Sequence, residues 1–277
     1  MRAALSSRIV SRTALHIILS LLAFLTLIPI IWMFLTAVKT NQEIFKWPLV
    51  LFPKEIQWKN FSDAWNSQPF TRYLLNTVFV SVGTVIFTLI TSSLAGFAFA
   101  KYEFFGKRIL FGLVLALLMI PAQVTLVPTY LIIRNLGLIN TYTGLLIPGL
   151  TSVFGIFMVK QYMQTIPDEL MDAARIDGCN DWMIFFRIIS PLITPALAVL
   201  AIFTFTNSWN SFLWPLIIGD TQKMYTLQVG IAFFRGEGET LYHLIMAVAF
   251  LSLVPVIIVY LFFQRAFTSG IALTGMK

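Results

Sequence analysis

Six apolar runs, each long enough to cross a bilayer, constrain this chain more than any motif in it. They extend approximately from Ala14 to Val38, Tyr73 to Ala100, Ile109 to Ile133, Tyr142 to Met163, Ala196 to Ile218 and Leu241 to Phe263. A helical span needs about 20 apolar residues and a barrel strand about 9 to 11, and lipid offers an open backbone no hydrogen-bond partners. The runs therefore predict six transmembrane helices and an all-α integral membrane protein. Composition agrees, because only 11% of the residues are charged, against roughly 25% in an average soluble domain.

Arg2, Arg8 and Arg12 precede the first run, as they would in a signal peptide. The run exceeds the ~15 residues of a signal core and no small-x-small site closes it, so it reads as a retained span. With the amino terminus inside, segments 1–13, 101–108, 160–190 and 264–277 hold eleven of the nineteen Lys and Arg residues. That bias predicts a multi-pass protein with both termini cytoplasmic. The net charge of +7 thus has a topological reading, and no basic stripe with interleaved aromatics suggests nucleic acid. The expected organisation is a cytoplasmic amino terminus at 1–13, a first helix at 14–38 and an extracytoplasmic loop at 39–72. A five-helix core at 73–265 and a cytoplasmic tail at 266–277 follow. The 39–72 loop carries Pro48, Pro53, Pro69, Trp47, Trp58 and Trp65, as an ordered cap or as an interfacial segment with aromatics at headgroup level.

Several chemistries lack their residues. Cys179 is the single cysteine, and His16 and His243 have no neighbours at metal-ligand spacing, so no metal or cofactor site is expected. No HExxH or GxSxG supports a membrane enzyme. A phosphate-binding GxxxxGK[ST] loop is absent, since Gly106-Lys107 is followed by Arg108 and Lys101 stands where the first glycine would be. The spans contain no Asp or Glu to couple a proton or sodium ion, which argues against the alternative of an ion-coupled secondary transporter or channel.

The most polar inner segment reads IPDELMDAARIDGCNDWMIFFRIISPLITP from Ile166. Pro167 suits a first helical turn, and Asp168 and Glu169 sit at the positive end of the dipole. Asp168, Glu169, Asp172 and Arg175 predict a polar side, with Leu170 and Ala174 opposite and the small pair Ala173 and Ala174 open to close approach. Gly178 can take the left-handed conformation that ends a helix. Asn180 or Asp181 then caps a second helix, whose Trp182, Phe185, Phe186 and Ile189 form an apolar stripe for the membrane spans.

Polar residues inside spans are candidates for a passage. Asn207, Asn210 and Ser211 share a helical face, and Trp209 and Trp214 stack on a sugar ring or anchor the helix at the interface. Gln123 and Thr125 lie between Pro121 and Pro128, whose spacing predicts two kinks on nearly one side. Packing between helices accounts for them as well as transport does.

The run DAA, then Asp177-Gly178, then nine residues, then Ile188-x-Ser190-Pro191 resembles the EAA motif of the permease subunits of binding-protein-dependent ABC importers. Asp172 stands where that family usually has Glu, and Ser190 where it usually has Leu. EIFKWP, AFAKYEFFGKRILF, IPAQVTLVPTYLIIRNLGLINTYTGLLIP, the SWNSFLWPL run and the ending QRAFTSGIALTGMK extend the likeness over nearly the whole chain, to the carbohydrate branch and the maltose-type second permease.

The resemblance implies a type I ABC importer permease fold with a coupling loop at 164–191. Pro167, Glu169, Asp172, Ala173, Ala174, Asp177 and Gly178 would then dock an ATPase. It further implies a second permease, two ATPase subunits that bind ATP and Mg, and an extracytoplasmic solute-binding protein, in a bacterial or archaeal cell membrane. The loop with Asp220, Lys223, Arg235 and Glu237 would meet the binding protein, and the tail from Gly270 to Lys277 the ATPase dimer. Gln123, Asn207, Trp209, Asn210 and Ser211 are the expected pathway residues. In the maltose importer the partner permease holds the sugar, which leaves solute contact by Asn207 and Asn210 open.

Overall fold

The computed structural model describes the backbone over residues 2–233 and 240–274 and the side chains over 13–233 and 240–264. Among the described residues all regular structure is helical. Three apolar runs lie in single long helices: Arg2–Ala37, Phe70–Lys101 and Tyr242–Thr274. The first and last of these reach beyond their runs, through most of the expected terminal segments.

The other three candidate spans are bent pairs, which corrects the expectation of plain helices. Lys107–Leu118 meets Ala122–Asn135 at 104°, Tyr142–Gly149 meets Val153–Met163 at 43°, and Asp181–Leu192 meets Thr194–Trp209 at 75°. Prolines stand at or beside the breaks: Pro121, Pro148, and the pair Pro191 and Pro195. Proline lacks an N–H and its ring clashes with the preceding turn. Yet Pro29, Pro128 and Pro255 sit inside helices that continue past them, so the kink expected at Pro128 does not break its helix. The run expected to end at Ile218 stops at Trp209, where Asn210 follows as the C-cap and donates from Nδ2 to Thr206 O at 3.0 Å. A separate helix, Leu213–Ile218, comes after it.

The chain divides into two compact units, Met1–Pro69 with Phe233–Val254, and Phe70–Ala232 with Pro255–Lys277. In the first unit the loop after the first helix is ordered. Asn60 Nδ2 donates to Ala37 O and Lys39 O, both at 2.8 Å, and so satisfies carbonyls left open at the helix end. The buried Lys39 ammonium donates to Val50 O and lies 5.4 Å from the centre of the Trp32 ring; burial lowers its pKa. Phe34, Phe61 and Phe250 pack together, while Trp47, Phe52 and Trp58 face outward, as residues at headgroup level would.

In the second unit Phe70–Lys101 packs along Val153–Met163 and Thr194–Trp209. Small residues permit the approach. A Cβ on Gly96 would come within 2.9 Å of Val159 Cγ1, and one on Gly155 would collide with the Ser92 hydroxyl. The break after Gly149 frees carbonyls that lipid cannot satisfy. Thr88 and Thr91 supply the missing donors, reaching Gly149 O and Leu150 O at 2.9 Å each.

Candidate functional site

The segment after Ile166 folds as a hook of two helices. Glu169–Ile176 forms the first, and Gly178 ends it with φ +83° while its N–H bonds Arg175 O at 3.0 Å and the Cys179 N–H bonds Ala174 O at 2.9 Å. Asn180 is the cap of the second helix, accepting from Met183 N at 2.8 Å. Arg175 joins the two limbs, with Nη1 3.2 Å from Asp172 Oδ1 and Nη2 3.6 Å from Asp181 Oδ1. All three side chains are substantially exposed, so these pairs orient more than they stabilise.

The buried faces differ from those expected. Met171 and Ala174 are buried at 2% and 5% exposure, whereas Leu170 is 44% exposed and Ala173 is exposed too. On the second limb Ile184, Phe185 and Ile189 are buried, while Trp182 and Phe186 stand out at 63% and 62% exposure and stack on each other. A π-helical stretch, Phe185–Ile189, follows Trp182, and its wider turn shifts the residues within it off the i, i+3, i+4 stripe. Met171, Ala174, Ile184, Phe185 and Ile189 belong to one apolar cluster with Phe97, Val159, Met163 and Leu200. The hook is thereby keyed to the ends of three membrane helices.

Two residues that sequence reasoning missed hold it there. Lys101, the last residue of Phe70–Lys101, sends its buried ammonium to Ile166 O at 2.5 Å and Asp168 Oδ1 at 2.6 Å. Its only sequence signal was a lone cation closing a long apolar run. Tyr102 packs edge-on against Phe97 at 5.3 Å and against the hook's apolar cluster, with its buried hydroxyl beside Asp181 and Arg175. Burial, and then the Asp181 carboxylate, push its phenol above the usual range.

At the opposite end of Phe70–Lys101 lies the segment with Asp220 and Lys223, both exposed. Asn76 Nδ2 donates to Lys223 O and Tyr225 O at 2.9 and 2.8 Å, and Asn76 Oδ1 accepts from the Tyr142 hydroxyl at 2.6 Å. Asn140 Oδ1 accepts from Asp220 N, Thr221 N and Thr221 Oγ1 at 3.1 Å each. Arg235 and Glu237 lie outside the described residues.

Between these ends is a cavity of about 590 Å³. Asn207 and Ser211 line it, joined by Thr84, Thr88, Thr151 and Thr204. Three other expected pathway residues do not line it. Gln123 is exposed elsewhere on its helix, and Asn210 turns away at the C-cap, where its Oδ1 accepts from Gln228 at 3.4 Å. Trp209 is 1% exposed and stacks on Phe205 at 5.3 Å, so it is core and offers no face to a sugar ring. Trp214, for which ring stacking and interfacial anchoring were both open, lines the cavity and donates from its indole nitrogen to Gly144 O at 3.2 Å.

Apolar helices around a cavity with hydroxyl and amide side chains in its wall, and a polar hook keyed to one end, fit a membrane-spanning transport subunit. Residues 89–272 match the family described as binding-protein-dependent transport system inner membrane component. The chain is 35% identical to the arabinooligosaccharides transport system permease protein AraQ of Bacillus subtilis, with 97% of this chain and 96% of that one covered. It is 33% identical to the sn-glycerol-3-phosphate transport system permease protein UgpE of Pectobacterium atrosepticum, covering 92% and 94%. Among solved structures it is similar to a bacterial ABC transporter involved in the import of the acidic polysaccharide alginate, with a TM-score of 0.82, 25% identity, and 95% and 98% coverage. A bacterial alginate ABC transporter in complex with its alginate pentasaccharide-bound periplasmic protein shares the fold, with a TM-score of 0.66, 17% identity, and 92% and 94% coverage. The chain belongs to the family of binding-protein-dependent inner membrane components, and is a permease subunit of an ABC importer. It is thus a transport component rather than itself an enzyme.

Proposed function

We propose that this subunit imports a sugar or sugar-like solute across a bacterial or archaeal cell membrane, with both termini in the cytoplasm. Its proposed partners are a second permease, two ATPase subunits that hold ATP and Mg, and an extracytoplasmic solute-binding protein. In this reading ATP closes the ATPase dimer, the coupling helices of the two permeases move together, and the cavity turns from inward-facing to outward-facing. The sugar-system relatives support the solute class, and Asp220 and Lys223 are proposed contacts for the binding protein.

The observation that carries the proposal is the coupling helix itself. With Met171 and Ala174 buried in the bundle, Leu170, Ala173 and Ile176 remain as an exposed strip at i, i+3 and i+6, and Ile176 is 86% exposed. Pro167, Glu169, Asp172 and Asp177 flank that strip with exposed backbone and charge. Such a strip fits an apolar groove with a basic rim on the ATPase. Ile176→Glu tests it in the assembled complex: the ATPase is expected to be lost on purification while the two permeases stay together. Full retention of the ATPase, with import intact, would falsify the docking role. Import that survives ATP depletion and collapses with an ion gradient would instead replace the importer mechanism.

A further inference from the structure

We infer that this subunit touches the solute itself, through a cavity built for an uncharged polyhydroxylated molecule; the inference rests on the importer function proposed above. Thr84, Thr151, Thr204, Asn207, Ser208 and Ser211 line the cavity, and among the described residues their side chains make no hydrogen bond. Their neighbours are different. Thr88 is spent on Gly149 O at 2.9 Å and Ser152 on Gly155 N at 3.0 Å, both repairs to the broken span. The hydroxyls that the fold requires are thus bonded, and six further polar groups in the same wall are left unspent.

Each unspent hydroxyl both donates and accepts, and the Asn207 amide does the same from two atoms. Sugar hydroxyls have the same dual character, so each can be matched without a net charge on either side. Among the described residues no Asp, Glu, Lys, Arg or His lines the cavity. A phosphate or carboxylate entering it would lose water without gaining a cation, and that loss is costly where the surroundings are apolar. At the amino terminus of Val153–Met163, where an anion could be held, the Gly155 N–H is already taken by the Ser152 hydroxyl. Trp214, its indole N–H already held by Gly144 O, adds an aromatic wall of the kind that packs on the apolar face of a sugar ring. The volume of about 590 Å³ lies within the ~300–1,000 Å³ of small-molecule sites.

The conclusion discriminates among solutes, since the relatives include systems named for arabinooligosaccharides and for sn-glycerol 3-phosphate. The test is uptake by the complete importer, with its second permease, ATPase and binding protein, in proteoliposomes carrying ATP inside. Arabinotriose and maltotriose are offered as neutral probes, and sn-glycerol 3-phosphate and an alginate trisaccharide as anionic ones. ATP-driven uptake is expected for a neutral probe. In the near-isosteric variant Thr204→Val with Asn207→Leu, solute imported per ATP hydrolysed should fall by about tenfold, the scale of one or two lost hydrogen bonds. Two results would overturn the inference: ATP-driven uptake of an anionic probe instead, or an unchanged import-to-hydrolysis ratio in the variant. Uptake that persists without ATP would sink the importer function itself, and so is distinguishable from these.

Discussion

The Lys101 side chain, 2% exposed, donates to Asp168 Oδ1 at 2.6 Å and so ties the carboxy-terminal end of the Phe70–Lys101 helix to the N-cap of the hook. Asp168 is 76% exposed and can be solvated without its partner, so the stronger loss on removing Lys101 is the contact to Ile166 O. Lys101→Met should cost about 1–2 kcal/mol locally, while Asp168→Asn should cost less. The functional consequence is a loose hook. ATP hydrolysis by the reconstituted complex should continue in Lys101→Met while import per ATP drops, and equal import per ATP in variant and wild type would refute the link.

Gly178 offers a test of backbone geometry alone. A Cβ there meets nothing within 4 Å, so substitution is opposed only by the φ of +83°. Gly178→Ala should destabilise the turn by about 1–2 kcal/mol and Gly178→Asn by less, since Asn tolerates this region. Proline, fixed near −65°, cannot adopt it at all, so Gly178→Pro should abolish assembly with the ATPase. Limited proteolysis of the hook, read beside co-purification, gives the order.

Gly155 should be sensitive for the opposite reason. Its conformation is ordinary, but an added methyl runs into the Ser92 hydroxyl and comes within 3.0 Å of Leu200. Gly155→Ala should destabilise the packing of three helices by about 1–3 kcal/mol. A lower melting temperature in detergent, partly restored by Ser92→Gly, is the expected result. A melting temperature equal to that of wild type would show that the helices move apart at no cost.

Asn140 combines both effects. It has φ 57°, and its side-chain oxygen takes three hydrogen bonds from Asp220 and Thr221. Asn140→Asp keeps the acceptor and should stay close to wild type, whereas Asn140→Ala should release the segment at a cost of about 1–3 kcal/mol. Hydrogen exchange at the Asp220 and Thr221 amides should then accelerate. Protected amides in Asn140→Ala would mean that the backbone holds the loop without the side chain.

The features legible in the chain were those set by local chemistry. Apolar length marked the membrane runs, because backbone groups in lipid find no water and a long helix bonds nearly all of them internally. Gly178 and Asn180 bounded the turn of the hook, because dihedral freedom and caps act within a few residues, whereas Pro167 stands ahead of the Asp168 cap and outside the first helical turn expected for it. Prolines were less informative: Pro121 stands at a 104° bend while Pro128 sits inside one helix, since neighbouring helices decide whether freed groups find other partners.

What surrounds a residue could not be read in this way. Asn207, Trp209 and Asn210 lie within one helical turn of each other in the chain, yet one lines a cavity, one is core and one caps a helix. The exposed strip of the coupling helix was displaced from the expected one by burial of Met171, and in its companion a π-helical turn shifts the residues within it off the expected stripe. Lys101 and Asp168 are far apart in the chain and meet where two helices that pack closely at Gly96 and Gly155 bring their ends together. By itself, then, the sequence determined that this protein crosses a membrane and carries a capped, polar hook. Tertiary structure alone decided which side chains the hook buries and which polar groups share the cavity, because burial and long-range partners depend on helix packing, which no local pattern encodes.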